Sequence, residues 1–292
     1  MFLVTQRIKS VRQPRGGYLP PKALTATTLS DGKTLSAAES VHPGTVGTAV
    51  DYLSRYLMSG DAQEAFEISL TGAARTGQAN KAAELLSRLD KGLSDECIVA
   101  ACQLVGYDVV VRSGPLMVPV DMIVADSATV ENIRIMVGRA MLFFEQYGPV
   151  LGDGCIFGWF DEDRVRYGGY SEVVSTGDGD FLTERTFWDF KVSKNLPTKD
   201  HTLQLLMYVI MAMVCYIEYG SVGGWTMKGE PPAYFVRGYD TLRRIGIFNP
   251  RLNMVFTYDL ATDKQLLRTI ASDVLVYDRD QMNKLEQYLV QM

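Results

Sequence analysis

The chain has 292 residues, a length that fits one large domain or two modest ones. Hydrophobic residues make up 47% and charged residues 22%, which are ordinary values for a globular protein and exclude a disordered or fibrous class. The formal net charge of −5 excludes a globally basic field, so any contact with nucleic acid requires a local basic surface.

Signals for targeting and redox compartment are weak. The first seventeen residues, MFLVTQRIKSVRQPRGG, have no long apolar core and no small-residue cleavage site, so no secretory signal is predicted. The longest uncharged apolar run, residues 203–217, is shorter than the roughly 20 residues of a membrane span. Four scattered cysteines form no CxxC pair, which indicates buried free thiols. We therefore expect a cytoplasmic protein with no membrane contact.

Residues 1–43 are rich in proline, glycine, serine and threonine, and we expect an irregular or partly strand-like lead-in. Its basic residues lie on either side of Tyr18; they are Arg7, Lys9, Arg12, Arg15 and Lys22. These cations fit an arm that contacts a nucleic-acid backbone. They also fit a solvated leader, which is the interpretation that the sequence favours.

The next part of the chain has helical apolar spacing. Residues 44–58 carry the first helix, and residues 59–108 are predicted to be helical throughout, as an insertion into one domain spanning 44–292. Residues 109–111 are a candidate strand because they are three valines. A long helix is predicted over 127–147, ending at Gly148-Pro149.

The second half of the chain is predicted to be rich in strands. Short strand-like runs at 155–160, 165–167 and 171–175 favour an antiparallel meander, and the acidic triplet 161–163 is interpreted as a solvated turn. A turn at 177–180, a strand, a turn at 183–185, a second strand and a helix follow. Two more strands, at a sheet edge, are expected around Asn249-Pro250, and an amphipathic helix is expected within 260–292.

The stretch 177–208 places polar groups where one site could collect them. Asp189 and Lys191 are two apart in a strand and therefore face the same side, whereas Phe190 faces the other. A turn at 183–185 would fold the strands into a hairpin and bring Asp180 beside Asp189. Gln204 and Tyr208 are four apart in a helical run and share one helix face.

These pieces resemble the PD-(D/E)xK nuclease superfamily, particularly its RecB-like branch. The matching motifs are Gly-Asp-Gly-Asp ending at Asp180, the D-x-K at 189–191 and the Q-x-x-x-Y at 204–208. Gly179 stands where the family motif has proline, and no late cysteine triad could hold an iron–sulfur cluster. The resemblance implies an α/β (α+β) restriction-endonuclease-like fold, a mixed sheet flanked by helices.

The resemblance also implies a site that binds Mg²⁺ or Mn²⁺. Asp180, Asp189 and the backbone carbonyl of Phe190 would supply oxygen ligands, which Mg²⁺ prefers. Lys191 would orient the attacking water and the scissile phosphate, Gln204 would position Lys191 or the water, and Tyr208 would support that network. Asp51, on the first helix, is either a further oxygen ligand or an exposed carboxylate.

Polar residues between the second strand and the helix lie within reach of phosphates, and they are Ser193, Lys194, Lys199 and His201. The expected substrate is DNA, with RNA also possible. The sequence indicates neither the oligomeric state nor end or interior cleavage.

Three hypotheses remain open at this point. The first is the metal-dependent nuclease. The second is a catalytically inactive nuclease-fold protein that binds nucleic acid or a protein, favoured by the negative charge and the missing proline but disfavoured by Lys191. The third is a helical interaction protein built on residues 59–108.

An ion pair between Asp189 and Lys191 would explain those two residues alone, but a glutamine in an apolar helix costs free energy unless it is bonded. The nuclease is therefore the leading hypothesis.

Overall fold

The computed structural model describes residues 2–112, 114–116, 118–158, 168–219 and 239–292. The strands are β1 (Phe2–Leu3), β2 (Thr25–Thr28), β3 (Gly152–Gly158), β4 (Val174–Leu182), β5 (Thr186–Phe190), β6 (Arg244–Asn249) and β7 (Met254–Asp259). The helices are α1 (Val4–Ser10), α2 (Pro43–Ser59), α3 (Ala62–Ala65), α4 (Glu67–Arg75), α5 (Ala79–Leu86), α6 (Asp95–Val105), α7 (Asp108–Arg112), α8 (Ser127–Tyr147), α9 (Lys199–Tyr219), α10 (Lys264–Ile270) and α11 (Arg279–Gln291). The fold class is mixed α/β, as expected.

The strands form one mixed sheet in the order β1-β4-β5-β6-β7-β2, with β3 pairing to β4. The predicted antiparallel meander is confirmed where β3 pairs with β4 and β4 with β5, but of the strand predicted at 171–175 only Val174 and Ser175 lie in β4. After β5 the chain crosses through α9 and returns as β6, which is parallel to β5. The two late strands, β6 and β7, were expected at the sheet edge, but β2 covers β7 and both lie in the interior.

The sheet separates two hydrophobic cores. Phe187 packs into a core with α1, α9, α10 and α11, whereas Trp188 and Phe190 pack into a second core with α2 to α6 and α8. All five residues of β5 are buried, because this strand has helices on both faces. Alternation along β5 therefore decides which layer each side chain meets, and it assigns Asp189 to the α9 side with Phe187.

Helix α9 is the central element of the first core. Its window Lys199–Glu218 has a mean hydropathy of 1.4 and the length of a membrane span, but 72% of it is buried inside the protein. Residues from Leu203 to Cys215 pack on the strands and on α11. The helix is apolar all round because it is enclosed by protein, as expected for a buried core helix.

The lead-in is more ordered than the sequence predicted. Besides the expected strand character, which appears in β1 and β2, residues 4–10 form the unpredicted helix α1. Val4 and Ile8 are buried in the core with α9. Strand β1 pairs with β4 and β2 pairs with β7, so the segment is built into the sheet at two places.

Two local predictions were wrong. Residues 109–111 lie in helix α7 and not in a strand, because the buried Asp108 at its start accepts hydrogen bonds from Tyr52 and Ser69 and fixes the helix against α2 and α4. The predicted turn at 177–180 is the middle of β4. Its glycines serve close packing: a Cβ at Gly177 would lie 2.5 Å from Cε1 of Tyr208, and one at Gly179 would overlap the Phe187 ring. The strand predicted at 165–167 and the acidic triplet 161–163 lie outside the described residues.

Candidate active site

Strands β4 and β5 separate at Asp180. Strand β3 pairs with one edge of β4 as far as Leu182, while β5 pairs with the other edge only at Phe181 and Leu182. Beyond that point, Oδ2 of Asp180 accepts a hydrogen bond from the Phe190 backbone N–H at 2.6 Å. The Asp180 side chain thus bonds the backbone of β5 at a point where β4 and β5 no longer pair through backbone hydrogen bonds. This contact brings Asp180 next to the D-x-K segment, as the predicted hairpin requires.

Asp189 and Lys191 point to the same side of β5, as predicted. The Lys191 Nζ lies 3.1 Å from Oδ1 of Asp189. Asp189 is 3% exposed, and within the described part of the chain its Oδ2 has no hydrogen-bond partner. Burial raises the pKa of Asp189 to about 6; Lys191 opposes the shift and the Asp180 charge adds to it. The pair therefore leaves one buried carboxylate oxygen unsatisfied.

Lys191 is held in its charged form. Burial alone would lower its pKa, but the carboxylates of Asp189 and Asp180 outweigh burial and raise it. Its backbone N–H donates to the Phe248 carbonyl at 2.9 Å, which continues the pairing of β5 with β6. Lys191 is therefore a fixed cation between two carboxylates at the end of the strand.

Gln204 and Tyr208 share one face of α9, as predicted. Nε2 of Gln204 donates to the Tyr208 hydroxyl at 2.8 Å. Burial raises the pKa of Tyr208, and the charge of Asp178 adds to the effect. The sequence predicted that Gln204 would bond Lys191 or a water; the described bond goes instead to Tyr208, so the glutamine orients the tyrosine that faces the carboxylates.

Arg55, on α2, is a site residue that the sequence analysis missed. Its Nε lies 2.9 Å from Oδ1 of Asp51, and its Nη2 lies 3.7 Å from Oδ1 of Asp180. The guanidinium also covers the Phe181 ring, 4.7 Å from its centre. Burial raises the pKa of Asp51, and Arg55 opposes that shift. Of the two alternatives for Asp51, an exposed carboxylate does not hold, because Asp51 is partly buried and bonds Arg55 beside Asp180. The i, i+4 spacing of Asp51 and Arg55 was the signal that could have identified the arginine.

A cavity of about 480 Å³ opens between β4 and the helical block, which consists of helices α2 to α7. Its walls include Asp51, Arg55, Asp178, Asp180 and Arg112. Loss of solvation raises the pKa of Asp178, and the charge of Asp180 adds to it. Arg112 was missed because its helix was predicted as a strand. The cavity connects the acidic end of β4 with the helices α2, α4 and α7.

The four predicted phosphate-contacting residues occupy the segment between β5 and the first turn of α9. Ser193 accepts from the side chain of Asn249 through its carbonyl at 2.8 Å, and Nζ of Lys194 donates to the Ala37 carbonyl at 3.1 Å. Lys199 is exposed at the start of α9. Burial lowers the pKa of His201, and the charge of Lys191 adds to this. His201 is therefore within electrostatic reach of Lys191, whereas Ser193 and Lys194 support the loop.

Carboxylate oxygens at the end of β5 are the donor type that a hard divalent cation takes. Among the described residues, the buried Oδ2 of Asp189 has no hydrogen-bond partner, and Asp180 brings a second carboxylate to the same end of the strand. Within the described ranges, no group of three or more His, Cys, Asp or Glu side chains has the arrangement of a metal site. The two carboxylates are therefore the candidate ligands, and the Phe190 carbonyl joins them only as the resemblance implies.

Comparison with known proteins adds no relative. No family model, no curated protein and no solved structure matches this chain. The functional argument therefore depends on the chemistry and geometry of the residues described above.

Proposed function

We propose that this protein is a divalent-metal-dependent nuclease that hydrolyses phosphodiester bonds, with DNA as its substrate, and that it is a RecB-like member of the PD-(D/E)xK superfamily with a restriction-endonuclease-like fold. The observation that carries the proposal is the buried Oδ2 of Asp189, which has no hydrogen-bond partner among the described residues and lies beside a charged lysine. A carboxylate buried in this state costs free energy unless a ligand compensates it.

Further support comes from the convergence of the three motifs. Asp180 reaches the D-x-K backbone directly, and the charges of Asp178, Asp180 and Asp189 all act on Tyr208. The mixed sheet with helices on both faces is compatible with the fold that the motifs imply. The cytoplasmic location that this function assumes is compatible with Cys97, Cys102 and Cys215 being buried free thiols.

Asp180, Asp189 and the carbonyl of Phe190 would hold Mg²⁺ or Mn²⁺. A bound divalent ion supplies charge neutralisation at the phosphate and a more acidic water. Lys191 is placed to orient that water and to stabilise charge on the non-bridging oxygens. Gln204 holds the Tyr208 hydroxyl towards the same carboxylates, and Arg55 is close enough to Asp180 to contact an incoming phosphate.

The test is a cleavage assay on linear DNA, circular DNA and RNA, with Mg²⁺, with Mn²⁺ or with EDTA. We expect metal-dependent cleavage of DNA that falls by roughly 10²-fold or more in Lys191→Ala. Asp189→Ala should lose cleavage together with cation binding, measured by calorimetry. Lys91→Ala, an exposed lysine in the helical block, is the matched control and should retain activity.

Absence of cleavage of every substrate by the folded wild-type protein would contradict the proposal. That result would favour the second candidate, an inactive nuclease-fold protein, which one observation supports: Arg55 places a cation 3.7 Å from the carboxylate of Asp180. In that case Asp189→Ala would leave cation binding unchanged, because no ion would use this carboxylate.

A further inference from the structure

The charges of the chain are unevenly distributed. The first 30 residues, which we call the leader, contain five basic side chains and no acidic one, although the whole chain has a net charge of −5. Taking those five from the 29 basic residues leaves 24 against 34 acidic residues in the rest. A basic segment on an otherwise acidic protein indicates a local surface for a polyanion.

The structure fixes this segment against the start of α9. Nε2 of Gln13 donates to Oδ1 of Asp200 at 2.6 Å, and the Thr202 hydroxyl donates to the Leu19 carbonyl at 2.7 Å. Gly17 has φ +94° and approaches so closely that a Cβ there would lie 2.7 Å from Cβ of Lys199. The leader is therefore docked on the first turn of α9 and is not a free, solvated tail.

That first turn leads directly to the candidate active site. The segment 192–198 joins Lys191 to the start of α9, and Gln204, in the second turn of this helix, donates to the Tyr208 hydroxyl. The docked leader and the end of β5 thus flank the same helix terminus. The exposed Lys199, whose Cβ closely approaches Gly17, extends the cations of the leader onto this helix.

The cations of this surface are available to a ligand. Arg12, Arg15, Lys22 and Lys199 are exposed, and among the described residues none of them forms an ion pair. The carboxylate of Asp200, beside Lys199, accepts a hydrogen bond from Gln13. Arg12 and Arg15 line one side of an open cavity of about 950 Å³, and Asp263 and Asp273 lie on its opposite, α10 side.

We infer that Arg12, Arg15, Lys22 and Lys199 form a phosphate-binding strip that guides a DNA strand to the Asp189 site, an inference that rests on the proposed nuclease function. The strip contacts the sugar–phosphate backbone, so it contributes affinity and register without selecting a base sequence. It also explains how a chain with net negative charge binds a polyanion.

The test compares a triple variant, Arg12→Gln, Arg15→Gln and Lys22→Gln, with a control of equal charge change, Arg75→Gln, Lys91→Gln and Arg279→Gln. The control residues are also exposed, and circular dichroism verifies that both variants are folded. Binding of a fluorescein-labelled DNA strand and of its duplex is measured by anisotropy in EDTA, so that cleavage does not interfere. Salt is varied from about 50 to 200 mM.

We expect the leader variant to bind at least tenfold more weakly at low salt and to lose about two to three units of the slope of log K against log salt, because each phosphate contact contributes about 0.7 to 0.9. The control should bind like the wild type. In cleavage, KM should rise in the leader variant while kcat is retained.

The inference is overturned if the wild type binds no DNA, or if the leader variant and the control bind equally well. The outcome is separable from that of the proposed nuclease. Leader-dependent binding without cleavage would retain the strip and reject the activity, whereas cleavage with leader-independent binding would do the reverse.

Discussion

Asp189 is a buried carboxylate, and in the described part of the chain only one of its two oxygens contacts a cation. Its pKa is raised to about 6, above the value of about 3.9 expected for an aspartate in an unfolded chain. Between these two values the folded state binds more protons than the unfolded state. The stability of the metal-free protein therefore falls as the pH rises from about 4 to about 6, and below that window the penalty is absent.

This reasoning gives the first prediction, for Asp189→Asn in EDTA. The amide cannot ionise, so the variant lacks the penalty that the wild type acquires as pH rises. The melting temperature of the variant minus that of the wild type should become more positive between about pH 4 and pH 7. Thermal denaturation across this range checks it, and a difference that does not depend on pH would show that the carboxyl titrates normally.

Arg55 gives a second prediction at the residue scale. In Arg55→Met the carboxylates of Asp51 and Asp180 lose their shared cation, so the unfolding free energy should fall by roughly 1–3 kcal/mol. In this variant the Arg55 guanidinium no longer competes with a divalent ion for the Asp180 carboxylate. Mg²⁺ should then raise the melting temperature more in Arg55→Met than in the wild type.

The control for this prediction is the double variant with Asp51→Asn, which removes the carboxylate that Arg55 bonds most closely. It should recover part of the lost stability. An equal Mg²⁺ effect in Arg55→Met and wild type would mean that the arginine and the ion do not share Asp180.

At the scale of single elements, the glycines of β4 set how closely α9 and β5 approach the strand. Gly177→Ala and Gly179→Ala should each cost about 1–3 kcal/mol, because the new methyl group overlaps Tyr208 or Phe187. Gly138→Ala in α8 is the control: its Cβ meets nothing within 4 Å, and the change should stabilise the protein by about 0.5–1 kcal/mol. Urea denaturation measures all three, and neutral β4 variants would imply that the strand can shift away from the helix.

Helix α8 shows what local pattern determines: its bounds, Ser127–Tyr147, were predicted from apolar spacing and the following Gly148-Pro149. Helix α7 shows the limit. Three valines favour a strand, and the helix forms because Asp108 is bonded from two other helices, contacts that no local pattern contains. The GDGD sequence was predicted to be a turn because of its glycines. Those glycines are needed instead for close packing against Tyr208 on α9 and Phe187 on β5, which the local sequence does not reveal.

The candidate site divides in the same way. Asp189, Lys191, Gln204 and Tyr208 could be predicted because strand and helix periods place them on common faces. The bond from Phe190 to Asp180 follows from the hairpin. Arg112 and the cavity could not be predicted, because they depend on how the helical block packs beside β4.

At the scale of the whole molecule, the leader is part of the fold. Ile8 is buried in the core with α9, whereas the neighbouring Lys9 is exposed. Ile8→Ala should therefore lower the unfolding free energy by about 2–5 kcal/mol. Lys9→Ala should leave it within about 0.5 kcal/mol. Urea denaturation of both variants measures the difference, and a negligible effect of Ile8→Ala would mean that the leader detaches without cost to the core.

The pairing of β2 with β7 has a consequence for synthesis on the ribosome. Thr25 meets Thr257, and Arg7 donates to the carbonyl of Val274, so segments far apart in the sequence must meet. Until β7 has been made, β2 has no ladder to join and presents an open edge to neighbouring nascent chains. Such distant closures slow the search for the native topology, because a long loop has to close before these contacts form.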